Sequence, residues 1–163
     1  MLEGFDWVQI DASIDAVGKA AEYQRYGAKW KVIKSNFERL LDTPHKIWVH
    51  PTVSIFNILR LVELLQYLDT LDSSKFEFCG GNMLFDPEEY SILNIPVEFK
   101  DRIRDILEKS EESISTKYRP FIQRWIDFMY SQEPKIPWEQ IKQKIESNDQ
   151  RRGNRFLDVN PEF

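Results

Sequence analysis

The sequence predicts an α/β fold in which about three parallel strands, joined through helices, precede a helical carboxyl-terminal region. Three observations carry that expectation. In three short segments apolar residues recur at every second position, the period of a half-buried strand. Between those segments they recur at spacings of three and four, the period of an amphipathic helix. Beyond residue 96 only the helical spacing remains. Strands linked by helical crossovers run parallel, because each crossover returns the chain to the same end of the sheet.

Residues 7–14 read as the first strand, with Val8, Ile10, Ala12 and Ile14 alternating against polar neighbours. A polar stretch with Gly18 and Gly27 follows. Trp30, Ile33, Phe37 and Leu40 or Leu41 then mark one stripe of a helix. Asp42-Thr43-Pro44 stops it, since the residue before a proline is driven out of helical geometry. Residues 46–50 form a second strand ended by Pro51, and residues 56–71 a second helix. Asp72-Ser73-Ser74 turns the chain into a third strand at 76–79, interrupted by Gly80-Gly81 and resumed at 82–85. From there the pattern is helical. Residues 96–113 carry Phe99, Ile103, Ile106 and Leu107 on one side, and 120–130 are rich in aromatic residues. Pro137, suited to a first helical turn, opens a helix with Trp138, Ile141 and Ile145. Residues 149–163 read as a polar, partly basic and irregular tail. The expected division is therefore 1–95 and 96–163.

The 163 residues suffice for one sizeable core. Lys plus Arg number 22 against 27 Asp plus Glu, a net charge of −5 that argues against a dedicated nucleic-acid binder. The one cysteine, Cys79, excludes an internal disulfide and a Cys-only metal or iron–sulfur site. The opening MLEGFDWVQID lacks the charged start and apolar run of a signal peptide. The longest apolar stretch, 55–71, is broken by Asn57, Arg60, Glu63, Gln66 and Asp69, so it does not span a membrane. The expectation is a soluble cytoplasmic protein. Parallel sheets are normally covered on both faces and are rarely this narrow. The chain therefore reads as the second half of a larger strand–helix unit, whose earlier strands lie upstream or in a partner chain.

Ligands of parallel α/β folds sit beyond the carboxyl ends of the strands. That rule selects three clusters: Ser13 to Gly18 with Glu22 and Arg25, His50 to Ser54 with Asn57, and Cys79 to Met83. Each has a plainer reading. Ser13 and Asp15 fit a turn cap as well as a ligand contact. Arg25 fits a surface ion pair with Glu22. His50 fits a strand-end hydrogen bonder, His45 a solvated side chain, and Cys79 a buried structural thiol. Gly80-Gly81 fits either close approach of a ligand or a bulge. The aromatic run from Phe121 to Met129 fits core. The cluster Arg151, Arg152 and Arg155 fits a solvated tail or an intramolecular tether, and alternatively a phosphate backbone.

Four stretches, in order, resemble one family. SIDAVGKAAEYQRYGAKWKVIKSNFERLL is similar to the segment around the fourth strand of radical S-adenosylmethionine enzymes, whose branch with SPASM or twitch domains reads SIDG, then Glu-x-x-Arg, then a Trp-led helix. HPTVSIFNILRLVELLQYL resembles the next strand and helix, and GGNMLFDPEEYSILNIPVEFKDRI the sixth strand and its exit. DQRRGNRFLDVNPEF resembles the terminal Asp-x-x-Arg element and Pro-Glu-Phe ending of twitch-type members. The resemblance implies an incomplete parallel (βα) barrel, S-adenosylmethionine as cofactor, and a four-iron four-sulfur cluster in the complete enzyme that this chain does not ligate. It implies that Ser13 and Arg25 contact the methionyl carboxylate, with Glu22 pairing Arg25. Asp15 would order the loop or approach the ribose, Ser54 would lie near the ribose, and backbone at Asn82 and Met83 would face the adenine. Two departures stand out. The SIDG glycine is Ala16, which would be strained at a positive φ, and the CxxxCxxC cluster motif is absent. The chain alone is then expected to be inactive, with a missing amino-terminal barrel half as its partner and an unassigned substrate. The alternative is a non-catalytic α/β scaffold that docks a partner chain.

Overall fold

The alternating segments become strands, shorter than their patterns suggest. The computed structural model describes residues 7–163; the segment 1–6, most of the stretch read for a signal peptide, lies outside them. Within the described residues are β1 (Gln9–Ala12), α1 (Gly18–Gln24), α2 (Trp30–Leu41), β2 (Lys46–Val49), β3 (Thr52–Val53), α3 (Leu61–Asp69), β4 (Phe76–Phe78), β5 (Asn82–Met83), α4 (Val97–Ser110), α5 (Arg119–Tyr130) and α6 (Trp138–Arg152). The protein is thus mixed α/β, with six α-helices and two small parallel sheets among these residues.

The larger sheet has the order β1-β2-β4, all parallel. Its register aligns Ile10 with Ile47 and Phe76, and Ala12 with Val49 and Phe78. Because side chains alternate across a strand, these six share one face. Ile47, Val49 and Phe78 are buried there against the helices. The opposite face carries Gln9, Asp11, Lys46, Trp48 and Glu77, exposed or half-buried. These residues meet one another: Gln9 donates to Asp11 (2.8 Å), Lys46 pairs with Glu77 (3.3 Å), and the Lys46 ammonium stands 4.7 Å from the Trp48 ring.

The smaller sheet, β3 beside β5, continues the second and third strands past a break. Val49 aligns with Phe78 but Thr52 with Asn82, so the third strand carries one extra residue at Gly80-Gly81. This is a bulge. Both glycines have positive φ (76° and 81°). A Cβ on Gly80 would overlap the Phe121 ring, and one on Gly81 would lie 2.9 Å from the Pro51 carbonyl oxygen. The ladder resumes beyond it, with the Asn82 N–H donating to the Pro51 carbonyl (2.8 Å). The fully buried Trp125 of α5 donates its indole N–H to the Gly80 carbonyl (2.7 Å), which ties the helical region to the sheet.

Two expectations need correction. The polar stretch after β1 contains α1, whose buried Ala20 and Ala21 are too small to mark an apolar stripe. The tail is not simply irregular and polar. The last helix runs to Arg152 and ends at Gly153 in left-handed geometry, and the remainder docks on the body. Phe156 and Asn160 are buried, Phe163 stacks on Trp138 (5.6 Å), and Glu162 pairs with Arg60. Phe156, Val159 and Phe163 recur at three and four residues, so one side of this segment is apolar and finds cover. No helix among the described residues is long and apolar enough to cross a membrane.

Candidate functional site

The loops at the carboxyl ends of the strands are held together by buried polar side chains. Asp15, in the loop after β1, is buried and accepts from three directions. Its Oδ1 takes the Thr52 backbone N–H (2.8 Å), and its Oδ2 takes Nε and Nη2 of Arg25 (both 2.7 Å). Both guanidinium nitrogens converge on one carboxylate oxygen, a charge-assisted contact stronger than a neutral hydrogen bond. Asn57, 0% exposed, uses both ends of its amide. Its Nδ2 donates to the carbonyls of Asp15 (2.8 Å) and Thr52 (2.9 Å), and its Oδ1 accepts from the Ser54 N–H (2.8 Å) and Oγ (3.2 Å). The first and second strand ends are thereby fixed to each other.

The structure places the six residues singled out by resemblance as follows. Ser13 is exposed and lines a small cleft with Asp15 and Arg25; its volume of about 10 Å³ admits one water. The Arg25 side chain is 47% exposed, and two of its five N–H donors are engaged by Asp15. Ser54 is buried and faces Asn57. Asn82 is exposed and Met83 half-buried, on β5 of the two-stranded sheet. Ser13, Asp15 and Arg25 therefore meet. Asp15 and Ser54 communicate through Asn57.

The expected Glu22–Arg25 pair does not form. The Glu22 carboxylate instead accepts the Trp30 backbone N–H (2.9 Å), which joins α1 to α2, and Lys29 lies 3.9 Å away. A three-residue spacing near the end of a two-turn helix left Arg25 free to reach the buried Asp15 instead. Ala16 carries no strain, because no residue other than glycine has positive φ among those described, and the left-handed position falls at Gly18 (φ 58°). Ala16 is buried against Trp30 and Val159, where a bare glycine would leave a gap.

Further polar groups surround this framework. Asp149 of α6 accepts from the Tyr23 hydroxyl (2.8 Å) and the Phe156 N–H (2.7 Å), linking α1, α6 and the tail. Burial, and then that hydrogen bond, push the Tyr23 phenol well above its ordinary pKa. Nothing local in the sequence marked Asp149, whose two partners lie 126 and 7 residues away. Asn57 carried a signal, a short amide inside an apolar run. His50 stands 3.8 Å from Asp11 beside the Trp48 ring, on the open face of the sheet. Burial, then the Glu77 and Asp11 carboxylates, push the Cys79 thiol up. No group of three or more His, Cys, Asp or Glu suited to a metal occurs among the described residues. Compared with known proteins, the chain matches no family model, no curated protein and no solved structure.

Proposed function

We propose that this chain supplies the second half of an incomplete (βα) barrel in a radical S-adenosylmethionine enzyme, with the cluster-bearing half contributed by another segment or chain. The observation that supports this reading is the β1-β2-β4 sheet: parallel, adjacent, apolar on the helix side and polar on the other. Helices on one face only suit a sheet that curves around a lumen. One cysteine cannot hold a four-iron cluster, so in this reading the cluster belongs to the other half. When bound there with the cofactor, it supplies the 5′-deoxyadenosyl radical that abstracts hydrogen from substrate.

This chain's own residues then bind and orient. Three N–H donors of Arg25, whose side chain is 47% exposed, remain for the methionyl carboxylate at the mouth of the cleft beside the exposed Ser13, and Asp15 anchors the guanidinium. Ser54 acts through Asn57 to shape the loop, since its hydroxyl is buried. The Asn82 and Leu84 amides are spent on the ladder, so by alternation the Met83 amide turns to the free edge, toward the adenine.

Calorimetric titration of S-adenosylmethionine into the chain tests this. Binding that falls about tenfold or more in Arg25→Ala and weakens in Ser13→Ala supports it. Absence of binding by the unaltered chain overturns it in favour of a second reading, a non-catalytic docking module. That reading is favoured by one observation: among the described residues β1 pairs with β2 alone, leaving its outer edge to accept a partner strand.

A further inference from the structure

We propose that a groove between α1 and the carboxyl-terminal segment binds the phosphate and base of a nucleotide. The groove has a volume of about 470 Å³, within the range of small-molecule sites. Four cations line it: Lys19, Lys29, Arg152 and Arg155. Two carboxylates, Glu22 and Asp158, oppose them. Lys29 lies near Glu22, but no ion pair to a described carboxylate is made by Lys19, Arg152 or Arg155. On a chain of net charge −5, folding has gathered four cations against two carboxylates, from segments more than a hundred residues apart. Such a concentration raises the local density of anions.

A further feature narrows the anion. Tyr26 is 62% exposed at the groove, and the Arg152 guanidinium stands 5.5 Å from its ring centre. An exposed ring beside arginine is a platform on which a base can stack. Phosphate on the cations and base on Tyr26 describe a nucleotide, free or within a single strand.

The groove is distinct from the Ser13–Arg25 cleft, which lies among Ile14, Ala21 and Ile33 and shares no residue with it. S-adenosylmethionine has no phosphate, so the two proposals fail separately. The test titrates the full chain with AMP, ATP, inorganic phosphate and a short single-stranded oligoadenylate at several salt concentrations. The expected result is ATP or oligoadenylate binding that weakens steeply with salt. It should fall about tenfold or more when Arg152→Gln and Arg155→Gln are combined. Arg124→Gln, which removes one charge at an exposed site on α5, should leave it intact. Tyr26→Ala should weaken the nucleotides and not inorganic phosphate. Oligoadenylate binding tighter than ATP assigns the groove to a single strand, and equal or weaker binding to a free nucleotide. No nucleotide binding, salt-independent binding, or binding unchanged in the Arg152/Arg155 double variant overturns the proposal.

Discussion

Replacing Asn57 by alanine should destabilise the protein more than any exposed polar substitution. The side chain is fully buried and makes four hydrogen bonds. Its loss removes the partner of one backbone N–H, at Ser54, and a donor from two backbone carbonyls, at Asp15 and Thr52. An unsatisfied buried group costs about 1–3 kcal/mol, and a carbonyl keeps part of its bonding elsewhere. The expected loss is about 3–5 kcal/mol, against a total stability of about 5–15 kcal/mol for a domain of this kind. Asn57→Asp sharpens the test. It keeps the acceptor for Ser54 but turns carboxylate lone pairs toward the two carbonyls and places a charge near the Asp15 carboxylate, so it should cost at least as much at neutral pH. Equilibrium urea unfolding followed by tryptophan fluorescence reads both, with the midpoint falling at unchanged slope. Gln123→Ala, which removes an exposed Gln123–Asp127 bond, serves as control and should stay within about 0.5 kcal/mol. A loss below about 1 kcal/mol in Asn57→Ala would refute the claim that this amide holds the strand ends together.

Three other outcomes follow from the same geometry. Gly80→Ala should cost about 2–4 kcal/mol, since a methyl there meets the Phe121 ring at positive φ, whereas Gly27→Ala, equally left-handed but in open space, should cost about 1 kcal/mol; comparing their unfolding midpoints separates packing from backbone strain. Asp149→Asn should lose about 2 kcal/mol, because one of its two hydrogen bonds meets an amide donor instead of a carboxylate oxygen, and it should lower the Tyr23 titration point read by tyrosinate absorbance. Tyr67, pushed up to about 12 by burial and then by Glu38, holds its proton in the folded chain where an unfolded tyrosine near 10 has lost it. The stability this provides is fully present below pH 10 and is lost as pH rises toward 12, so Tyr67→Phe should flatten the alkaline fall in thermal midpoint.

Local pattern reached far into this protein. Alternation in 7–14, 46–50 and 76–79 located the three strands of the larger sheet, and the helices between them implied their parallel direction, because both depend on neighbours along the chain. Even the glycine pair declared itself as one of two things, and the crowding by Phe121 and Pro51 decided for the bulge. What local pattern could not reach were contacts between residues far apart in sequence. Spacing suggested Arg25 with Glu22, yet the buried carboxylate of Asp15 took the guanidinium, because a carboxylate removed from water needs hydrogen-bond donors that the more exposed Glu22 can find in solvent. The tail read as solvated because its charges are local, while the pocket that receives Phe156 and Phe163 is built from Tyr23, Phe56, Phe99 and Trp138 on four other segments. Sequence periodicity determined which residues of the strands and longer helices turn inward; only the tertiary structure decided what each one meets there, and that α1 and the tail turn residues inward as well.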